Sequence, residues 1–266
     1  LNPSGVLRRE LELFANIRPA RSWPGLPTAT GRATDLIVVR ENLEGFYADR
    51  NMHLGPGEFM PVPGVALAVR RITETACRRI AVSAFELAMT RPLKRVTAVH
   101  KANVMRVSDG LFLETVRDVA TAYPEATYEE ELVDAAAALL VRDASRFDVI
   151  VTTNMFGDIL SDLAAELAGG LGLAGSLNVG PTVAAAQAQH GSAPDIAGMG
   201  KANPTSMILS VAMLLHHLGE TNAATVINAA VEHCLARFET RTADLGGPLS
   251  TRAFSDAIIQ SLEFAP

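Results

Sequence analysis

The chain has 266 residues, of which 48% are hydrophobic and 20% charged, and its formal net charge is −6. This composition excludes a disordered or fibrous protein and provides for a sizeable core, in one large domain or two intertwined domains. The acidic balance, without any block rich in Lys and Arg, argues against a nucleic acid partner.

The cysteines and the apolar runs indicate the cellular compartment of the protein. Cys77 and Cys234 are few and distant, so they form neither a disulfide framework nor a metal knuckle, and a reducing, cytoplasmic setting fits them best. No apolar run reaches the roughly 18 residues needed to span a bilayer, so no membrane contact is expected. The opening residues already have the pattern of a helix inside a fold and include no initiator methionine. We therefore expect further chain upstream.

Strand-like and helix-like segments alternate along the chain. Apolar, β-branched runs of strand length occur at 34–41, 95–103 and 147–154, and a helical period covers 72–89. A second helical pattern follows "KANP", from residue 201 onward. Between the first strand and the first of these helices, residues 45–66 are rich in Gly and Pro and predict a loop or an extended arm. The alternation predicts an α/β fold.

The stretch "GGLGLAG" satisfies the spacing G-x-G-x-x-G through Gly170, Gly172 and Gly175. The dinucleotide fingerprint needs a strand before these glycines and a helix after them, whereas here a helix comes first. We therefore reject a Rossmann fold and interpret the glycines as the end of that helix and a turn.

Two carboxylates mark the segment after the third strand. Asp158 and Asp162 are four residues apart on a predicted helix, so they project from one face with Cβ atoms about 6 Å apart. A solvated helix face is the common reading of such a pair. Because both follow a strand end, where α/β folds place ligands, we favour a hard divalent cation, Mg²⁺ or Mn²⁺. The lone Asp134 in "VDAAAALL" is the candidate third ligand, the alternative being a helix cap.

Basic residues at the ends of other predicted elements complete a candidate site. Lys101 ends the strand of "VTAVHKANV" and is a candidate base, although a surface lysine is the more usual reading. Arg8, Arg18 and Arg40 suit bidentate binding of carboxylates, although each alone is more often a surface charge. Their coexistence with the aspartates is what suggests a site.

Several stretches together resemble the β-decarboxylating dehydrogenases, the isocitrate/isopropylmalate dehydrogenase family. They are, in family order, "LRRELELFANIRP", "RENLEGFY", "VHKANV", "VDAAAALLVRDASRFDVIVTTNMFGDILSDLAAEL" and "HGSAPDIAGMGKANP". The resemblance covers nearly the whole chain, without the family's N-terminal region. It implies a two-domain fold with a shared mixed sheet: 1–13 and 169–266 would form the large cofactor-side domain, and 14–168 the small domain with the dimer interface and arm.

The resemblance also implies a role for each candidate. Arg8, Arg18 and Arg40 would hold the substrate carboxylates, Tyr47 would protonate the product carbon, and Lys101 would assist removal of the hydroxyl proton. Asp134, Asp158 and Asp162 would bind Mg²⁺ or Mn²⁺, with Asp134 also counted among the catalytic residues. Lys101 and Asp134 would enter the site from the other subunit, which implies a homodimer.

The cofactor implied is NAD. In the segment that resembles the family's adenosine-binding loop, the cofactor residues would be His190, Gly191, Ser192, Ala193, Asp195 and Asn203. Asp195 would face the ribose, where a carboxylate accepts hydrogen bonds from a 2′-hydroxyl and repels a 2′-phosphate. The NADP-using isocitrate enzymes carry Lys and Tyr in place of Asp195 and Ile196.

The activity implied is NAD- and metal-dependent oxidative decarboxylation of a 3-substituted malate of the isocitrate, 3-isopropylmalate, tartrate or D-malate type. "RENLEGFY" resembles the isocitrate, tartrate and malate branches more than the isopropylmalate branch, and the substituent at C3 stays open. The alternative is a non-catalytic regulatory subunit of a heteromeric family member. A metal-binding structural module is opposed by the three arginines and the adenosine loop.

Overall fold

The computed structural model describes residues 3–47 and 52–262. Its α-helices are α1 (Pro3–Glu10), α2 (Glu74–Met89), α3 (Ser108–Ala120), α4 (Val133–Asp143), α5 (Asn154–Ala168), α6 (Thr205–His217), α7 (Thr221–Leu235) and α8 (Thr251–Leu262). Its strands are β1 (Ala15–Arg21), β2 (Asp35–Glu41), β3 (Glu58–Val62), β4 (Val65–Ala68), β5 (Arg95–His100), β6 (Thr127–Leu132), β7 (Val149–Thr152), β8 (Leu177–Val179) and β9 (Ala184–Ala186).

Seven of the strands form one sheet in the order β6-β5-β7-β2-β1-β8-β9. The pairs β6–β5, β5–β7 and β7–β2 are parallel, as expected for strands separated by helices. Burial along β2, β5 and β7 is nearly continuous rather than alternating, because helices cover a parallel sheet on both faces. The three strands predicted from the sequence are β2, β5 and β7, which confirms the α/β class.

The register of this parallel part brings four strand ends to one edge of the sheet. Arg40 of β2 and Val99 of β5 both pair with Thr152 of β7, and His100 pairs with Leu132 of β6. The residues that follow, among them Lys101 after β5 and the first turns of α4 and α5, therefore leave the sheet at the same edge. Ligands of open α/β sheets bind at such carboxyl ends.

Two compact units are distinguished by their internal contacts. The first comprises Leu1–Ile17, Leu36–Leu163 and Asn178–Val183, and the second comprises Arg18–Asp35, Ala164–Leu177 and Ala184–Pro266. The first is built around Val39, Ile80, Phe85 and other fully buried residues of the parallel strands, α2 and α3. The second is built around Leu235 and Phe254 of α7 and α8. The domain boundaries predicted from the family stay a prediction.

The Gly/Pro-rich segment contains regular structure within its described part. β3 and β4 form a separate two-stranded antiparallel sheet, joined through the turn at Gly64. All of their residues are exposed, including the large apolar side chains of Phe59, Met60 and Leu67. The sequence did not indicate this pairing, and the role of the segment as an arm of the dimer stays a prediction.

The glycines of "GGLGLAG" end a helix, as the sequence predicts. α5 stops at Ala168, and Gly169 and Gly170 adopt φ values of 135° and 122°, which side chains with a Cβ rarely adopt. A short 3₁₀ turn, Leu171–Leu173, follows in place of a phosphate-binding helix.

Among the described helices, none combines the length and the apolar character that crossing a bilayer requires.

Candidate active site

Arg40 is the centre of the first group of candidate residues. It is the penultimate residue of the buried strand β2, and only 1% of the residue is exposed. Its Nε and Nη2 donate to Oδ1 of Asn154 at 2.9 and 2.7 Å, and its Nη1 donates to Oδ1 of Asp158. A buried guanidinium needs such partners because an unpaired charge in the interior is costly. These contacts fix the plane of Arg40 against the first turns of α5.

Tyr47 joins the same group. Its Oη accepts from Nη2 of Arg40 at 2.8 Å and donates to Oδ2 of Asp158 at 2.7 Å. Its ring lies 5.3 Å from the Arg40 guanidinium. The pKa of Tyr47 is raised, chiefly by burial, against the opposing effect of the Arg40 charge. A phenol with a raised pKa keeps its proton at neutral pH, as a proton donor must.

Two residues that the sequence did not single out build this group. Asn154, the first residue of α5, accepts from Arg40 and donates its Nδ2 to the carbonyl of Glu44 at 2.9 Å. At Gly157 an added Cβ would lie 2.7 Å from Cβ and Cγ of Arg40, so only glycine lets the helix approach so closely. The available signal was a glycine inside a helical pattern, where it lowers helix stability and usually has a packing reason.

Lys101 and Asp134 form a second group. Lys101 follows β5 and is partly buried, whereas the carboxylate of Asp134, in the first turn of α4, is exposed. Nζ of Lys101 donates to Oδ1 of Asp134, and this hydrogen bond is the main reason why the pKa of Asp134 is lowered. The N-cap position of α4 is Leu132, so Asp134 does not occupy it.

Of the three predicted metal ligands, Asp158 belongs to the first group and Asp134 to the second. Asp158 and the half-buried Asp162 lie on α5, as the sequence predicts, and Asp134 lies on α4. Within the described residues of the single chain, no three His, Cys, Asp or Glu side chains are grouped so as to hold a metal ion. The donor set is chemically suited to a hard cation, since it offers only carboxylate oxygens.

The other two predicted arginines lie on separate elements. Arg8 is partly buried on α1, within the first unit. Arg18 lies on β1 and is 6% exposed; it is the first residue of the second unit. Their role in holding a substrate carboxylate stays a prediction.

A cavity of about 410 Å³ lies within the second unit. Its lining includes five of the six predicted cofactor residues, namely His190, Gly191, Ser192, Ala193 and Asn203. Asn203 is 8% exposed; its Nδ2 donates to Asp244 at 3.0 Å and its Oδ1 accepts the backbone N–H of Thr205 at 3.0 Å. Asp195, the sixth predicted residue, lies on the exposed turn Pro194–Ile196, between the lining residues Ala193 and Ile196. An open cavity with a few fixed polar groups is the usual form of a cofactor site.

Comparisons with known proteins agree with this description. A profile of the isocitrate/isopropylmalate dehydrogenase family matches residues 3–258. The isocitrate/homoisocitrate dehydrogenase of Thermus thermophilus is 48% identical over 257 residues, which are 97% of this chain and 74% of that protein. The 3-isopropylmalate dehydrogenase of Archaeoglobus fulgidus is 49% identical over 257 residues, 97% of this chain and 76% of that protein. A regulatory subunit of the NAD isocitrate dehydrogenase of Dictyostelium discoideum is 45% identical over 257 residues, 96% of this chain and 70% of that protein.

A solved structure resembles the whole described fold. The isocitrate dehydrogenase of Methylococcus capsulatus superposes with a TM-score of 0.90 at 43% identity, covering 97% of this chain and 75% of that one. The fold is thus the two-domain, shared mixed-sheet fold of decarboxylating dehydrogenases, as the sequence predicts, and not a Rossmann fold. The chain belongs to the isocitrate/isopropylmalate dehydrogenase family, which is a family of enzymes.

Proposed function

We propose that the protein catalyses NAD- and divalent-metal-dependent oxidative decarboxylation of a 3-substituted malate, giving a 2-oxo acid, CO₂ and NADH. The observation that carries the proposal is the hydrogen-bonded group of Arg40, Tyr47 and Asp158. It places an anion-binding guanidinium, a protonated phenol and a carboxylate within one contact network.

Each candidate residue of the site has a role in that reaction. Arg40 binds a substrate carboxylate with Arg8 and Arg18, because a guanidinium recognises a carboxylate bidentately. Lys101 of the partner subunit assists removal of the proton of the C2 hydroxyl. NAD, when bound, would supply the acceptor for the hydride of C2. Tyr47 donates its proton to C3 once CO₂ has departed. A bound Mg²⁺ or Mn²⁺, held by Asp158, Asp162 and the partner subunit's Asp134, would supply Lewis acid stabilisation of the negative charge on the C2 oxygen.

A homodimer with shared sites is part of the proposal. Lys101 and Asp134 face each other in a group of their own, which suits a pair that acts in the site of a neighbouring chain. Large apolar side chains on α4, on α5 and in the segment after Lys101 are exposed, namely Val141, Ile159, Val104 and Val107. A second copy of the chain that covered these side chains would remove apolar surface from water and bring the two groups together.

NAD is assigned to the cavity lined by His190 and Asn203, with Asp195 selecting against a 2′-phosphate. The choice among isocitrate, homoisocitrate, isopropylmalate and malate types stays open, because relatives with different substrates are equally similar to the chain. A cytoplasmic location is proposed from the two free cysteines, both of which are buried.

A regulatory subunit is the second candidate, favoured by the 45% identity to such a subunit. A subunit that had lost the chemistry would be expected to lack some of the catalytic or metal-binding side chains. Tyr47, Lys101, Asp134, Asp158 and Asp162 are all present here. This retention favours the catalytic function.

The experiment that tests the proposal is NADH formation by the purified protein with Mn²⁺ and each of isocitrate, homoisocitrate, 3-isopropylmalate, D-malate and tartrate. We expect turnover with one of them, loss of turnover in EDTA, and loss in Lys101→Met. Turnover that persists in EDTA would contradict the metal role. No turnover alone, but stimulation when a catalytic family member is added, would identify a regulatory subunit.

A further inference from the structure

Arg70 is a charged residue with a largely buried side chain, and it has no role in the proposed mechanism. It lies between the end of β4 and the start of α2, and its side chain is 8% exposed. Its Nη1 donates to Ser108 Oγ at 2.8 Å and to Oδ1 of Asp109, and its Nη2 donates to Thr153 Oγ1 at 3.1 Å. The guanidinium is therefore held by several elements at once.

Asp109 connects Arg70 to a proposed catalytic residue. It is fully buried in the first turn of α3, and its two oxygens have different partners. Oδ1 accepts from Arg70, and Oδ2 accepts the backbone N–H of Lys101 at 2.6 Å. Asp109 therefore fixes the main chain at the residue whose Nζ is proposed to assist removal of the hydroxyl proton.

The faces of the Arg70 guanidinium contact the other elements that carry the site. Its Cζ lies 5.5 Å from the ring of Phe46, which precedes Tyr47, and 5.7 Å from the ring of Phe156 on α5. Its partner Thr153 precedes Asn154, which holds Arg40. One guanidinium thus contacts the segments of Tyr47, Lys101 and Asp158.

We propose that Arg70 and Asp109 form a positioning pair that sets the direction of Lys101 in the proposed reaction. The pair touches neither substrate nor cofactor; it acts through the backbone N–H of Lys101. The inference rests on the proposed function, since it presumes that Lys101 takes part in the chemistry. The directions of Tyr47 and α5 depend on the same guanidinium, but the hydrogen bond to Lys101 is the direct and testable link.

The chain supplies a matched control for this pair. Arg91 donates to Oδ1 of the fully buried Asp148, whose Oδ2 accepts the backbone N–H of Arg95 at 3.2 Å. The arrangement of guanidinium, buried carboxylate and backbone N–H is the same, but it lies at the start of β5 rather than at its end. Loss of Arg91 therefore removes a similar ion pair from the same sheet without touching the site.

The test is a double-mutant cycle on kcat. Arg70→Met is expected to lower kcat at least about ten-fold with KM changed less than about three-fold, and to lower it less than about two-fold further in a Lys101→Met background. Arg91→Met is expected to lower the unfolding temperature about as much as Arg70→Met does, but to leave kcat within about two-fold of the wild type. Arg70→Lys, which keeps the charge but not the fork, is expected to recover part of kcat.

Three outcomes would overturn the inference. The first is an equal loss of kcat from Arg70→Met in both Lys101 backgrounds, and the second is the same kcat loss from Arg91→Met as from Arg70→Met. If Arg70→Met does not fold, Asp109→Asn takes its place in the cycle, because asparagine keeps the side-chain volume and one acceptor oxygen. The third outcome is then full additivity of the kcat losses from Asp109→Asn and Lys101→Met. Unchanged kcat in Lys101→Met itself would instead refute the proposed function.

Discussion

The phenol of Tyr47 donates a 2.7 Å hydrogen bond to Oδ2 of Asp158, although 111 residues separate the two in sequence. The other oxygen of Asp158 accepts from Arg40. The carboxylate that is a candidate metal ligand therefore also holds the proposed proton donor. The carboxylate and the guanidinium together determine where the phenol proton points. This relationship links the two halves of the proposed chemistry, protonation and charge stabilisation, in a single network.

Tyr47→Phe is expected to lower kcat by about 10²- to 10⁴-fold with little change in KM, because the removed hydroxyl acts on a proton in flight. The ring and its contact with Arg40 remain, so folding should be retained. Steady-state kinetics with the accepted substrate measures the effect. Tyr123→Phe, in a ring that stacks on Phe85 in the core of the first unit, is the control. A variant in which only KM rises would show that the assigned role is wrong.

Asp158→Asn is expected to weaken Mn²⁺ binding at least about ten-fold while helix α5 remains folded, because the amide keeps an acceptor for Arg40 or Tyr47 but lacks the charge that attracts a cation. Calorimetric titration with Mn²⁺ measures this directly, and circular dichroism checks the helix. Glu166→Gln, a carboxylate removed from the last turns of the same helix, should bind Mn²⁺ like the wild type. Full activity of Asp158→Ala in the presence of EDTA would refute a metal role.

Asp195→Asn is expected to lower kcat/KM for NAD and to raise the ratio of NADP to NAD activity by about ten-fold or more, because the charge that repels a 2′-phosphate is removed. The exchange Asp195→Lys with Ile196→Tyr should raise the ratio further. Asp256→Asn removes an exposed carboxylate from α8 of the same unit and should leave the ratio unchanged. A ratio that stays at its wild-type value in both Asp195 variants would mean that the residue does not face the ribose.

The raised pKa of Glu41 leads us to expect that the stability of the protein depends on pH. It is 3% exposed, and burial raises its pKa to about 7, although the N–H groups of Leu43 and Glu44 donate to it. Its pKa is therefore higher in the folded chain than in the unfolded chain. The corresponding stability is present below about pH 4.5 and is lost as the pH rises through about 7, by up to about 3 kcal/mol.

The variant that checks this is Glu41→Gln, whose amide oxygen can accept the two N–H groups that Oε2 accepts now. Urea unfolding of the wild type between pH 5 and pH 8 should show a fall in the free energy of unfolding that is smaller in Glu41→Gln. Glu58→Gln, at an exposed position on β3, should keep the wild-type slope. Identical slopes in wild type and Glu41→Gln would contradict the assignment.

The sequence predicted those features of the site that depend on local spacing. Asp158 and Asp162 were placed on one helix because four residues make about one turn, and β2, β5 and β7 were found because buried parallel strands are continuous apolar runs. The helix end at Gly169 and Gly170 followed from the order of helix and glycines. The family resemblance implies roles for these residues that spacing alone leaves open, and those roles stay predictions.

Features that depend on distant contacts were not predictable in this way. Arg70 and Asp109 are 39 residues apart, and nothing in the local pattern marks either as buried. The hairpin of β3 and β4 was missed because its apolar residues are exposed and its glycines and prolines favour a loop. Asn154 and Gly157 acquire their importance only because α5 packs against Arg40.

One complete site is proposed to need residues from two chains, and mixing two inactive variants tests this most directly. Lys101→Met and Tyr47→Phe would be purified separately, mixed in equal amounts, and assayed for NADH formation after subunit exchange has been demonstrated with differently tagged chains. Half of the dimers would then be hybrids with one intact site, so recovery of about a quarter of the wild-type activity is expected. No recovery despite proven exchange would contradict the shared site and show that each chain works alone.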